Sequence, residues 1–162
     1  MITQKQIAVL QKALSEQGLL ITSGKTPPNV MSTHWGSVGY FFNRWVFVLP
    51  VRNNKLSHEI IEQTQEFSVS VPYKDLRNTI SKADIISGRQ ANKFVELHLH
   101  PIKAQKINSY IVGDCGLHLE CKVIHTANIA RNNISPEINN QLYSNKDYHT
   151  MYYGEIVACY ET

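Results

Sequence analysis

Apolar residues change their spacing several times along this chain, and each change marks an element. Ile7, Leu10 and Leu14 recur at three and four residues, with Thr3 ahead of them and Gly18 behind. That spacing predicts a capped amphipathic helix over 3–17. "LLITS" (19–23) reads as a short strand closed by the loop "GKTPPN". "NVMSTHWGSVGYFF" (29–42) and "RWVFVLPVR" (44–52) read as an antiparallel pair turning around Asn43. Pro50, which cannot donate to a ladder, puts the end of the second strand at an edge or a bulge.

A second helix is expected over 55–65, with Ile60, Ile61 and Thr64 inward. In "FSVSVP" (67–72) Phe67, Val69 and Val71 alternate with polar positions, the pattern of a half-buried strand. A short helix follows near 75–83, and "ISGRQANKFVELHL" holds a glycine turn and another short helix. "CGLHLECKVIHTANIA" (115–130) is the clearest strand. Cys115, Leu117, Leu119, Cys121 and Val123 face one way, and Gly116, His118, Glu120 and Lys122 the other. Pro136 opens a helical turn, and "MYYGEIVACYE" (151–161) is the last strand. The order is mainly β with added helices, which favours a small antiparallel β-barrel over a βαβ sandwich. No repeat, low-complexity tract or linker interrupts residues 1–162, so a single domain is expected.

Composition narrows the function classes. The chain has 162 residues, 43% apolar and 18% charged, and a net charge of +3. That bias tolerates an anionic ligand, but without a concentrated basic stripe it argues against nucleic acid. The N-terminus lacks a signal peptide's apolar core, and no run approaches the roughly 20 apolar residues that cross a bilayer. A soluble, cytoplasmic protein is the expectation. The three cysteines, Cys115, Cys121 and Cys159, form no C-x-x-C pair and read as small buried hydrophobes.

Four stretches carry candidate chemistry. In "FVLPVRNNKLSHEII" an apolar run ends on Arg52, Asn54 and Lys55, and the Ser57 hydroxyl opens a helix pattern. Four such donors at a strand-to-helix corner suit a phosphate, which prefers charge-assisted donors and a helix N-terminus. A solvated turn with Ser57 or Asn54 as helix cap explains the same residues. In "NVMSTHWGS" the polar Asn29, Ser32, Thr33 and His34 flank Met31 and Trp35, a composition that can line a flat heteroaromatic ring or form an exposed hairpin edge. "SGRQANKF" places Lys93 after a Ser87-Gly88 turn, pointing back to an anion or into solvent. In "DYHTMYYGEI" His149 precedes a strand, where it can meet a ligand or remain a surface residue.

Taken together these stretches resemble the flavin reductase-like family with the FMN-binding split-barrel fold, close to its flavoredoxin-type branch. The resemblance runs from about Gly18 to the C-terminus on "NVMSTHWGSVG", "VRNNKLSHEIIE", "FSVSVP", "ISGRQANKF", "LHLECKVIH" and "DYHTMYYGEI", in family order and spacing. It implies that Asn29 to Trp35 hold the isoalloxazine ring and that Arg52, Asn54, Lys55 and Ser57 grip the FMN phosphate. The family pattern there is Arg, small polar, Arg, aromatic, Thr, so Lys55 and Leu56 depart from it. Lys for Arg loses a planar fork, and looser flavin affinity is expected. Asn92-Lys93-Phe94 stands where the family has Asp-Lys-Phe, which keeps Lys93 as a flavin contact. His149 and Gly154 keep the family's His-to-Gly spacing, which implies a place near the nicotinamide side.

The function implied is an NAD(P)H-linked FMN oxidoreductase in a homodimer with flavin at the subunit interface. His149 would act on NADH or NADPH, which binds transiently because the chain has no G-x-G-x-x-G. The dimer would also account for the aromatics Tyr40, Phe41 and Phe42, which a packed core explains too. An FMN electron carrier without NAD(P)H activity is the alternative. A lesser one is a metal-binding barrel using His98 and His100, read as two residues on one strand face in "ELHLHP".

Overall fold

The computed structural model describes all residues 1–162. Helix α1 (Gln4–Glu16) begins at a Thr3 capping box, in which Thr3 accepts from the Gln6 amide and the Gln6 side chain answers the Thr3 amide. Its buried stripe is Ile7, Leu10, Ala13 and Leu14. Gly18, with φ of 91°, turns the chain directly into strand β1 (Leu19–Ser23).

Seven strands form one antiparallel sheet, together with β2 (Asn29–Thr33), β3 (Ser37–Phe41), β4 (Arg44–Arg52), β5 (Glu66–Val71), β8 (Leu117–Asn128) and β9 (His149–Glu161). Their order is β2-β1-β5-β8-β9-β4-β3, and β6 (Pro101–Lys103) with β7 (Tyr110–Val112) makes a separate hairpin. Met31 near one edge, Phe47 and Leu49 near the other, and Leu19, Phe67, Leu119 and Tyr152 between them belong to one buried cluster, so the sheet curls round a common core. The stripe of α1 joins that core. Gly154 is needed there because a Cβ would lie 2.6 Å from the Phe67 ring and 2.8 Å from Cys121. It is a packing position of the core.

The outer face of β1 is covered by α3 (Arg77–Ile85), α4 (Lys93–Glu96) and the β6–β7 hairpin, through Leu20, Val30, Ile80, Ala83, Phe94 and Val112. The fold class expected from the sequence, mainly antiparallel β with added helices in a split barrel, is the one found. Cys115 and Cys121 are buried and Cys159 is partly buried, all as free thiols. No helix is long and apolar enough to cross a membrane.

Three expectations are corrected. Residues 29–42 form two strands at opposite edges of the sheet, and only β3 pairs with β4, round a turn at Phe42-Asn43. The break comes from Thr33, whose hydroxyl takes the Trp35 amide at 3.0 Å in place of a ladder bond. In helix α2 (Leu56–Thr64) Ser57 and Ile61 are buried, Ile60 is half-buried, and Thr64 is exposed. The second face of β8 is buried as well: Glu120 lies under the loop between β6 and β7, and His118 is held between Ser70 and Thr162. His98 and His100 share no strand: both are exposed in a turn where His98 has φ of 52°, and His100 pairs with Asp114. No three metal-ligating side chains gather anywhere in the chain. Pro50 fits its expected place, since β3 pairs only up to Val48 and leaves that side of β4 open.

Candidate functional site: a trough between two sheet edges and helix α2

A continuous trough of three lobes runs from β9 past the start of α2. The outer lobe, about 470 Å³, lies among Met31 to Trp35 of β2 and its following turn, Pro50 and Arg52 of β4, α3, and His149 of β9. It shares Met31, Lys55, Asp84 and Ile85 with a middle lobe of about 220 Å³ at the N-terminus of α2. The middle lobe shares Asn29, Leu56, Gly88, Arg89 and Lys93 with a third lobe of about 560 Å³.

The middle lobe is built for an anion. Helix α2 has Lys55 as N-cap and no side chain capping it, which leaves the Leu56 and Ser57 N–H groups for a ligand, the His58 amide being bonded to the Lys55 carbonyl. Neither Ser57 nor Asn54 caps. Ser57 is fully buried and accepts a hydrogen bond from Asn29 Nδ2 at 2.9 Å, so its own hydroxyl hydrogen is still to be placed. Gly88 lets its loop lie directly against the Asn29 side chain, where any Cβ would collide. The Arg89 guanidinium ties that loop to α2 through Glu59 and the Asn54 carbonyl.

Lys93 is the decisive residue. It is only 5% exposed, and its Nζ donates to the Ala83 carbonyl at 2.8 Å. An ammonium has three hydrogens, and the other two meet no protein partner. Arg52, Lys55 and Arg89 each pair with a carboxylate, from Asp147, Asp84 and Glu59 respectively. Lys93 alone of these four does not. Burial, and then the nearby Lys55 charge, push its pKa down to about 8. A buried cation with unspent donors is costly, and an anion in the lobe would relieve that cost.

Arg52 does not join this lobe. Its Nη1 donates to the Asp147 carbonyl at 2.8 Å, and its guanidinium carbon lies 5.7 Å from the Tyr143 ring centre. It lines the outer lobe beside His149. His149 begins β9 and is nearly buried, with Nδ1 hydrogen-bonded to the Tyr143 hydroxyl at 2.7 Å. Its ring centre is 4.8 Å from that of Trp35. Burial, and then Arg52, lower its pKa to about 4, so the ring is neutral at pH 7. Where the Tyr143 hydroxyl donates to Nδ1, the neutral ring carries its hydrogen on Nε2 and can offer it to a ligand.

The structure therefore brings Asn29, Met31, Ser32, Thr33, Trp35, Asn54, Lys55, Ser57, Lys93 and His149 to one trough, with Arg52 at its far end. Sequence reading missed Arg89, Asp84 and Tyr143. Arg89 carried a signal, a cation directly after the Ser87-Gly88 turn, but Asp84 and Tyr143 carried none.

Comparison with known proteins shows the family and the fold. The family described as "Flavin reductase like domain" matches residues 19–162, leaving α1 outside. An uncharacterized protein of Archaeoglobus fulgidus is 31% identical over 105 residues, 65% of this chain. Those residues span 59% of that relative. Among solved structures, the flavoredoxin of Desulfovibrio vulgaris (Miyazaki F) superposes with a TM-score of 0.71 at 20% identity, over 90% of this chain and 69% of that one. The flavoredoxin of Methanosarcina acetivorans gives 0.70 at 21%, covering 90% and 68%. The NADH:FAD oxidoreductase of Streptomyces globisporus gives 0.68 at 13%, covering 100% and 87%. At these identities the structures share the fold.

Proposed function

The chain belongs to the flavin reductase-like family, and we propose that it binds FMN in this trough and passes hydride from NADH or NADPH through it. Lys93 carries the reading: a buried ammonium with two free donors, beside an uncapped helix N-terminus, is what a phosphate monoester needs. Asn54, Lys55, Ser57 and Arg89 supply the remaining donors of the middle lobe. The residues present fit FMN, because an outer lobe with an apolar wall of Met31, Trp35 and Pro50 and a polar rim of Ser32 and Thr33 adjoins that anion site.

When bound, the flavin supplies the redox chemistry. The chain's own part is to orient and to exclude water. Met31 and Trp35 give the ring a dry face, and Thr33 holds Trp35 through its hydroxyl. His149, kept uncharged by burial, offers a neutral hydrogen bond at the open mouth without repelling a cationic nicotinamide. Arg52 at the same mouth adds positive charge toward the flavin's electron-rich edge.

His149→Ala is expected to slow anaerobic flavin reduction by NADH or NADPH about tenfold, the worth of one hydrogen bond. FMN affinity, read by fluorescence quenching, should stay within about threefold. An unchanged reduction rate would remove His149 from the mechanism. If FMN binds but is bleached only by dithionite, the protein is an electron carrier and the NAD(P)H reading fails.

A homodimer belongs to the same proposal. Tyr40, Phe41 and Phe42 are exposed at the β3–β4 turn and continue through Tyr153 and His125 by edge-to-face contacts at 5.0–5.7 Å. A patch of clustered aromatics on a sheet extension suits a second copy of this chain. Phe42→Lys should shift the sedimentation equilibrium from dimer toward monomer; a native chain that sediments as a monomer with FMN bound would refute the pairing.

A further inference from the structure

We propose that Asp84 is the internal counter-ion of the middle lobe, which a flavin phosphate must displace, and that it limits how strongly the trough selects FMN over riboflavin, the flavin without a phosphate. The inference rests on the flavin reading above and assigns a residue that sets its selectivity. Asp84 is the only carboxylate that lines any of the three lobes. It stands where the outer and middle lobes meet, together with Met31, Lys55 and Ile85. With the ring in the outer lobe and the phosphate at the start of α2, the chain that joins them runs past it.

Local stability does not account for a carboxylate at this place. Asp84 lies in the last turn of α3, the end at which a helix dipole disfavours an anion. Its side chain is 72% exposed, and its Oδ1 stands 3.7 Å from Lys55 Nζ. That is an ion pair outside hydrogen-bond reach, which adds little to stability. The cations of the lobe do account for it. Arg89 is taken by Glu59, which leaves Lys55 and Lys93 as the charges that call for an anion. Asp84 answers both. It pairs with Lys55 directly. Burial and then Lys55 push the Lys93 pKa down to about 8, and Asp84 alone pushes it back up. The Lys93 ammonium is tied to the carbonyl of the preceding residue, Ala83, so one turn of α3 carries both groups to it. A phosphate entering the lobe is repelled by this carboxylate and competes with it for Lys55. A flavin without a phosphate does neither.

The test is equilibrium binding of FMN and of riboflavin, each followed by quenching of its own fluorescence, on the native chain and two variants. Asp84→Asn removes the charge and keeps the shape. It should bind FMN about fivefold more tightly than native protein, the upper range for an exposed ion pair, and riboflavin with native affinity. Asp84→Glu keeps the charge and should show no gain for either flavin. The exposure of Asp84 lets both variants fold. FMN affinity that is unchanged or lower in Asp84→Asn would overturn the inference and leave the flavin reading standing. So would an equal gain in Asp84→Glu, or a gain that riboflavin shares, since Asp84 would then act on the ring and not on the phosphate. If neither flavin binds native protein, the proposed function itself fails.

Discussion

Lys93→Met should bind FMN about a hundredfold more weakly than the native chain, the upper range for a charge-assisted hydrogen bond to a buried phosphate. The fold should survive, because methionine fills the same channel and relieves the folded state of a cation that burial disfavours. The pH dependence separates this role from a general loss of positive charge. With its pKa held down to about 8, Lys93 is an ammonium below that value and neutral above it. A phosphate monoester takes up its second proton near pH 6, roughly, and becomes a dianion above it. Native affinity should therefore rise from pH 5.5 to 7 and fall again as pH climbs through 8 to 9. Anion binding favours the charged form, so the lysine's pKa rises in the complex. In Lys93→Met the acid limb should remain and the alkaline fall should vanish. Fluorescence titrations at pH 5.5, 7 and 9 read both limbs. Unchanged affinity in the variant would show that Lys93 is a structural lysine only.

Glu120→Leu should destabilise the protein by about 3–5 kcal/mol, an effect unrelated to the flavin site. Glu120 is 0% exposed, and its carboxylate accepts from the Gln105 and Lys106 amides at 2.7 and 2.6 Å and from the Tyr160 hydroxyl at 2.6 Å. Leucine would take this partner from the Gln105 and Lys106 N–H groups and from the Tyr160 hydroxyl, and place no acceptor there. For a chain of this size the melting temperature should drop by roughly 10 °C. Glu120→Gln, which keeps an acceptor, should fall between the two. A leucine variant that melts with the native chain would mean the loop over β8 finds other partners at no cost.

The two buried polar residues show how unevenly this protein can be read from its sequence. Thr3 and Gly18 bound α1 within a residue of where they predict, because a cap and a helix stop are local events. The inward face of β8, with Leu117, Leu119 and Cys121, follows from alternation alone. For the partner face of the same strand, alternation gives the direction but not what covers it. Glu120 is buried because the loop between β6 and β7 folds back over it, and His118 because Ser70 and Thr162 enclose it. Neither β6 nor β7, at 3 residues each, carries enough period to be seen.

The site divides the same way. Ordered blocks of residues identified the family and named eleven of the side chains that line the trough, since the strand-to-helix corner at 52–57 and the β2 strand are contiguous in sequence. What the tertiary structure alone decided is the state of each one. The resemblance names Lys93 as a flavin contact, while its local sequence allows an anion or solvent; it is α3, carrying Ala83 over it, that makes it the buried, under-bonded cation of the trough. Arg52 was read as a phosphate ligand, yet β9 and its preceding loop bring Asp147 and Tyr143 to it and draw it to the far lobe. Sequence determines which groups a chain owns and the local period that turns them in or out. Burial, charge pairing and pKa depend on neighbours dozens of residues away, which only the curled sheet and the helices packed on it bring near.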